Sequence, residues 1–247
     1  MSIVRLSGVD KTFGTGVAAI TALSSVDLHV ERGEFVCLIG ASGCGKSTIL
    51  NLVAGLESPS AGTVSVDGRV AMMFQESALF PWLTVAENIQ LPMRLAGIDK
   101  AQRSARSREL IATVKLDGFA AKRPHQLSGG MRQRAALARA FAQDSDVLLM
   151  DEPFGALDAM TRDILHEELD ELVRARGLTV LFVTHNVREA ARLADRIVVM
   201  SPRPGRVTAE FMVDIVRPRR IDTPAVSTLA RTVTDQLRDE ALAHAHR

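Results

Sequence analysis

Gly40-Ala41-Ser42-Gly43-Cys44-Gly45-Lys46-Ser47-Thr48 follows an apolar run, Phe35 to Ile39, and precedes an apolar helical stretch, Ile49 to Ala54. Strand, glycine-rich loop and helix in that order are the context in which a P-loop pattern carries meaning. The glycines let the backbone curl so that successive N–H groups, and the N-terminus of the next helix, point at one phosphate chain. Lys46 can reach β- and γ-phosphates, and the Ser47 hydroxyl can ligate Mg²⁺. Phosphoryl transfer further needs a carboxylate for the metal and another to orient water. Val147-Leu148-Leu149-Met150-Asp151-Glu152-Pro153 supplies both where an apolar strand should end. Asp151 suits the metal, held through its coordinated water, and Glu152 suits the attacking water. Two adjacent acids at a strand end are otherwise an ordinary solvated turn, so the upstream loop gives them their weight.

Leu127-Ser128-Gly129-Gly130-Met131-Arg132-Gln133-Arg134 opens a helix that runs on to Ala142. Ser128 is a good N-cap, and Gly129 and Gly130 leave the first amides open to an anion. With this third motif the sequence resembles an ABC-type ATPase. The resemblance implies ATP and Mg²⁺ as the bound pair, with Gly40, Ser42, Gly43, Cys44, Gly45, Lys46, Ser47 and Thr48 around the phosphates. It implies that Ser128, Gly129 and Gly130 act on the ATP of an opposite subunit, giving two composite sites in a head-to-tail homodimer. The family's usual fifth signature residue is Gln where Met131 stands here. Phe13 matches the aromatic residue that stacks on adenine, with a core Phe on a hairpin as the other reading. Gln75, 29 residues after Lys46, matches the loop glutamine that contacts Mg²⁺ and water. Ala156-Leu157-Asp158 matches the loop that crosses the dimer interface, so Asp158 has a cap and an interface role to fill. His185 matches the switch histidine that contacts the γ-phosphate.

Residues 74–97, 123–142 and 148–162 look like those of ATPase subunits of bacterial importers for nitrate, aliphatic sulfonates or taurine. This resemblance implies separate integral-membrane permease subunits, indirectly a periplasmic solute-binding protein, and a peripheral place on the cytoplasmic face of the bacterial inner membrane. An exporter ATPase or a soluble ATPase of Fe-S cluster assembly is the alternative. Ala78 to Leu83 directly follows Gln75, and Trp82, the single Trp, is open to two readings. One is an anchor in a groove that receives a permease helix, and the other a member of a helical core.

The elements that position these residues follow from periodicity. Ile3 to Leu6, Ala22 to Val30, Phe35 to Ile39, Val147 to Met150, Thr179 to Thr184 and Arg196 to Met200 read as strands. Helical patterns at Ala159 to Arg176 and Val187 to Leu193 alternate with the later strands, which predicts a parallel α/β arrangement. Asp158 can cap the first of these helices, Leu165, Leu169, Leu172 and Val173 share one face, and Gly177 sits where a C-terminal cap belongs. The expected fold is an α/β P-loop NTPase, with the resemblance implying a RecA-like core, an antiparallel β subdomain and an inserted α-helical subdomain. The corresponding division is 1–78 with 143–216 for the nucleotide-binding core, 79–142 for the helical subdomain with the signature, and 217–247 for a helical tail.

Composition excludes other classes. Thirty basic and 29 acidic residues among 247 leave a formal charge of +1, so no strong field draws the chain to nucleic acid or anionic lipid. The apolar runs fall far short of the ~18 to 20 residues that cross a bilayer, and a signal-peptide pattern is lacking, so the expectation is a chain that stays in the cytoplasm. Cys37 and Cys44 cannot make a disulfide framework or, without further Cys or His nearby, a zinc site. Cys44 lies in the loop, where amide dipoles and Lys46 favour a reactive thiolate unless the loop shields it.

Overall fold

The computed structural model describes residues 1–155 and 157–245; the Ala156 part of the expected interface loop and residues 246–247 lie outside the described residues. In chain order the elements are β1 (Ser2–Phe13), β2 (Ile20–Glu31), β3 (Phe35–Gly40), α1 (Lys46–Val53), β4 (Ala61–Val66), β5 (Val70–Met73), α2 (Val85–Leu95) and α3 (Lys100–Thr113). They continue with α4 (Gly129–Phe141), β6 (Val147–Asp151), α5 (Ala159–Arg176), β7 (Thr179–Val183), α6 (Val187–Leu193), β8 (Arg196–Met200), β9 (Val207–Met212) and α7 (Pro224–Ala245). Two compact units result: Met1–Gly68 with the chain from Gly177 onward, and Arg69–Arg176.

In the first unit all six residues of β3 and all five of β7 are buried. Strands covered on both faces are continuous apolar runs rather than alternating ones, which is why Phe35 to Ile39 was legible in sequence. β3 pairs in parallel with β7, Leu38 opposite Val183, and with β8, Val36 opposite Arg196. β9 pairs antiparallel to β8. Each buried Val, Leu or Phe side chain in these strands contributes about 1.5–3 kcal/mol. A separate antiparallel sheet has the order β2-β1-β4, and Ile3, Val4, Leu6 and Val9 of its central strand are buried.

The tail is a 22-residue helix, α7. Its buried stripe is Val226, Ala230 and Val233, spaced for one helical face, and it packs on α6. Two arginines before it cap the end of α6. Arg217 Nη2 donates to the Leu193 carbonyl and to Asp195 Oδ1, each at 2.7 Å. Arg219, buried, donates to the Arg192, Ala194, Val213 and Ile215 carbonyls. Guanidinium groups there satisfy carbonyls that a helix C-terminus leaves unpaired.

In the second unit β5 and β6 are parallel partners, Met73 opposite Met150, and α2, α3 and α4 pack together. Asp158 caps α5, its Oδ1 accepting from the Thr161 N–H at 3.0 Å. The buried face of α5 is Leu165, His166, Leu169 and Val173, so His166 replaces the expected Leu172. Its imidazole lies edge-on to Phe154, ring centroids 4.9 Å apart, contact that periodicity of aliphatic residues cannot signal. Strands β4, β5 and β9 were not anticipated; β4 and β9 lie in glycine-flanked segments with weak apolar character.

Candidate nucleotide site

β3 ends at Gly40 and α1 begins at Lys46, a turn earlier than the apolar run suggests. Between them the chain needs glycine for two distinct reasons. A Cβ on Gly40 would sit 2.8 Å from both Cys44 Sγ and the Met200 carbonyl oxygen. Gly43 and Gly45 have φ of +77° and +96°, a region costly for other residues, and a Cβ on Gly45 would also meet Leu23 at 2.5 Å. No side chain caps the N-terminus of α1. Its first amides are left without a side-chain acceptor, the condition under which a helix N-terminus takes an anion, and Ser42 and Ser47 beside them are exposed.

The Lys46 ammonium is buried and turned into the loop, donating to the Gly40 carbonyl at 2.8 Å and the Ala41 carbonyl at 3.0 Å. Cys44 Sγ is 3.6 Å from it and fully buried. The expectation of an accessible thiolate is corrected here: the loop shields the sulfur, and exposure is a condition of thiol reactivity.

His185 stands at the same carboxyl end of the parallel strands. β7 is in register with β3, Val183 opposite Leu38, and the Thr184 N–H donates to the Leu38 carbonyl, so two residues on the chain reaches the level of Gly40. Its neighbours are fixed on both sides. Thr184 Oγ1 donates to the buried Glu189 carboxylate at 2.7 Å, and Asn186 Oδ1 caps α6 by accepting from Arg188 and Glu189. The His185 side chain is thereby held exposed at the carboxyl end of a parallel strand, where open α/β sheets bind ligands. Phe13 ends β1 opposite Ile20, 40% exposed, with Lys11 Nζ 4.8 Å from the ring centroid. A core role for Phe13 is thus set aside.

The second unit carries the remaining residues. Asp151 is the last residue of β6, and Glu152 has φ +43°. A left-handed non-glycine residue there is backbone strain of the sort that collects at functional sites. At the signature, Ser128 Oγ accepts from the Met131 N–H at 3.2 Å and caps α4. Its two glycines do different work. A Cβ on Gly130 would press on Leu157 at 3.2 Å and Thr161 at 3.4 Å, so Leu157 and the first turn of α5 pack against the start of α4, whereas a Cβ on Gly129 would make only ordinary contact, with Arg132 Nη2 at 3.9 Å. The backbone N–H and hydroxyl of Thr161 hold the Asp158 carboxyl below the usual carboxylate range.

Gln75 follows β5 and is exposed. Its loop is gripped by side chains of α4 that the sequence did not single out. Gln133 Nε2 donates to the Gln75 carbonyl at 2.8 Å, and Arg139 donates to those of Ser77 and Ala78 at 3.0 and 2.6 Å. Further on, Trp82 is 66% exposed and stacks at a tilt on Phe80, 5.4 Å between centroids. The core reading of Trp82 is therefore overturned. Asn88, fully buried, holds this loop: it accepts from the Phe80 N–H and donates to the Phe80, Leu83 and Thr84 carbonyls.

A glycine-rich loop between a buried parallel strand and an uncapped helix, in a mixed α/β chain, defines a P-loop NTPase. The chain belongs to the ABC transporter family, whose description matches residues 23–155. It is 46% identical over 217 residues to the taurine import ATP-binding protein TauB of Burkholderia pseudomallei strain 1710b, covering 85% of this chain and 84% of that one. The nitrate import ATP-binding protein NrtD of Synechocystis sp. is 41% identical over 220 residues, 86% and 83% of the two chains. The ATP-binding cassette MJ0796, solved as a dimer in a post-hydrolysis state with ADP and Pi, superimposes with a TM-score of 0.79 at 34% identity over 86% of this chain and all of that one. The protein is an ATP-binding ABC ATPase. No helix among the described residues is long and apolar enough to cross a membrane.

Proposed function

We propose that this chain is the ATP-hydrolysing subunit of an importer for a small anion of the nitrate, aliphatic sulfonate or taurine class, working as a peripheral homodimer on permease subunits at the cytoplasmic face of the bacterial inner membrane, with a periplasmic solute-binding protein delivering the anion. The observation that carries the reading is its likeness, at 41–46% identity over most of the chain, to ATP-binding proteins named for taurine and nitrate import. Import is favoured by those names over export or Fe-S assembly.

In this reading the amides of Gly43, Cys44, Gly45 and Thr48 and the Lys46 ammonium bind the phosphates of ATP, while Phe13 stacks on adenine. The oxygen donors Ser47, Gln75 and Asp151 suit Mg²⁺, a hard cation that takes few protein ligands. Held by these residues, Mg²⁺ would supply positive charge to offset that of the phosphates. Glu152 orients water for attack on the γ-phosphorus and takes its proton as the bond to ADP breaks. His185 steadies the γ-phosphate. Ser128, Gly129 and Gly130 of one subunit complete the site of the other, and Asp158 works at that interface. The exposed Phe80–Trp82 pair receives a permease helix.

Reconstitution with a candidate permease and anion-binding protein tests the reading: ATP hydrolysis should rise when anion-loaded binding protein is added, and should vanish with Lys46→Ala. A chain that hydrolyses ATP but neither associates with a permease nor responds to any such anion would contradict import.

A further inference from the structure

The turn between β8 and β9, residues 201–206, is built against the phosphate loop at three points. Met200 packs on Gly40, since a Cβ there would meet its carbonyl oxygen at 2.8 Å. Gly205 lies under Cys44, so close that a Cβ would strike the Cys44 carbonyl oxygen. Arg203 reaches Gly43: its Nη2 is 3.3 Å from where a Cβ on Gly43 would stand. The turn is stiff. Gly205 donates to the Ala22 carbonyl and accepts from Ser24, at 2.9 and 3.0 Å. Ser201 Oγ accepts from the Arg206 N–H at 3.0 Å and donates to the Pro204 carbonyl at 3.1 Å.

The two cations at this loop face opposite ways. Lys46 is buried and bonded to Gly40 and Ala41. Arg203 is exposed. Among the described residues no carboxylate pairs with its guanidinium, whereas Arg206 on the same turn is tied to Ser24 Oγ at 3.1 Å. A planar group with five donors and no partner, set beside a glycine whose missing side chain gives it access, is suited to phosphate oxygens.

We infer that Arg203 is a second cation of the phosphate cradle, donating from the solvent side of Gly43 to the phosphate chain of bound ATP. The inference rests on the reading of residues 40–48 as the phosphate site. It gives Gly43 a second purpose besides its left-handed φ of +77°: a side chain there would crowd the guanidinium.

The test is equilibrium titration of the full-length chain with ATP and ADP for Arg203→Ala, Arg203→Lys and Arg203→Glu, beside Lys46→Ala. An exposed charge near a polyanion should be worth about three- to tenfold in affinity at low salt. Arg203→Ala should therefore bind both nucleotides about three- to tenfold more weakly, Arg203→Glu more weakly still, and Arg203→Lys, which keeps the charge and loses the planar fork, between Arg203→Ala and wild type. The deficit should shrink in high salt, with melting temperatures unchanged. Wild-type affinities in both Arg203→Ala and Arg203→Glu would overturn the inference, as would normal nucleotide binding with loss only of ATP-dependent dimerisation, which would give the guanidinium to the partner subunit. If Lys46→Ala also bound nucleotide normally, the phosphate-site reading itself would fall.

Discussion

Gln133 Nε2 donates to the main-chain carbonyl of Gln75 at 2.8 Å, so the helix that begins at the signature holds the loop glutamine by its backbone. Arg139, two turns further along, grips the same loop at Ser77 and at Ala78, whose φ is +44°.

Arg139→Ala should loosen that grip without touching nucleotide. Misplacement of a catalytic loop by an ångström costs up to about a hundredfold in rate. The expected outcome is a kcat lowered about tenfold or more, with ATP affinity within about twofold of wild type, measured by steady-state hydrolysis and nucleotide titration. Arg139→Lys, which keeps one bond, should fall between.

Trp82→Ala removes a mostly exposed ring, and such surface changes usually alter stability by no more than about 0.5 kcal/mol. The variant should melt like wild type, bind ATP and fail to co-purify with permease. A melting temperature far below wild type, with ATP affinity lost as well, would return Trp82 to a structural role.

The β3 to α1 segment was legible because each of its constraints is local: a buried strand is a continuous apolar run, and the loop's glycines, Lys46 and Ser47 follow in fixed order. The Ser128 and Asp158 caps were legible for the same reason. What escaped was everything set by distant pairing. Arg139, Arg203 and Arg219 are ordinary basic residues until the fold brings them to Ala78, Gly43 and Ala194. Burial of the Cys44 sulfur depends on packing around Gly40, and the path of the chain on either side of Trp82 on Asn88 hydrogen bonds to Phe80, Leu83 and Thr84, neither of which has a sequence period.

Arg219→Ala would strand carbonyls at the end of α6 in a buried place. Buried polar groups left without partners cost about 1–3 kcal/mol, so an overall loss of about 2–4 kcal/mol is expected from urea denaturation. A loss under about 0.5 kcal/mol would show that the tail adds little to this unit.

Cys37 lies fully buried in β3, where burial first, and the Glu189 carboxylate second, push its thiol well above the ordinary 9.0, with Lys46 opposing. The unfolded chain therefore loses this proton at lower pH than the folded one. The stability it confers is present below about pH 9 and is lost as pH rises beyond it. Melting curves from pH 7 to 10.5 should fall less steeply above pH 9 for Cys37→Ala than for wild type. In native protein at pH 7, both thiols should label with maleimide only slowly.

In the proposed function Glu152 activates water for ATP bound between two copies of this chain. Glu152→Gln keeps the side-chain shape and removes the base. The decisive measurement is light scattering of purified Glu152→Gln with and without Mg-ATP, alongside its hydrolysis rate. Monomers should become a stable ATP-bound dimer, with turnover at least a hundredfold below wild type. Undiminished hydrolysis, or a protein that stays monomeric in saturating ATP, would contradict that proposal.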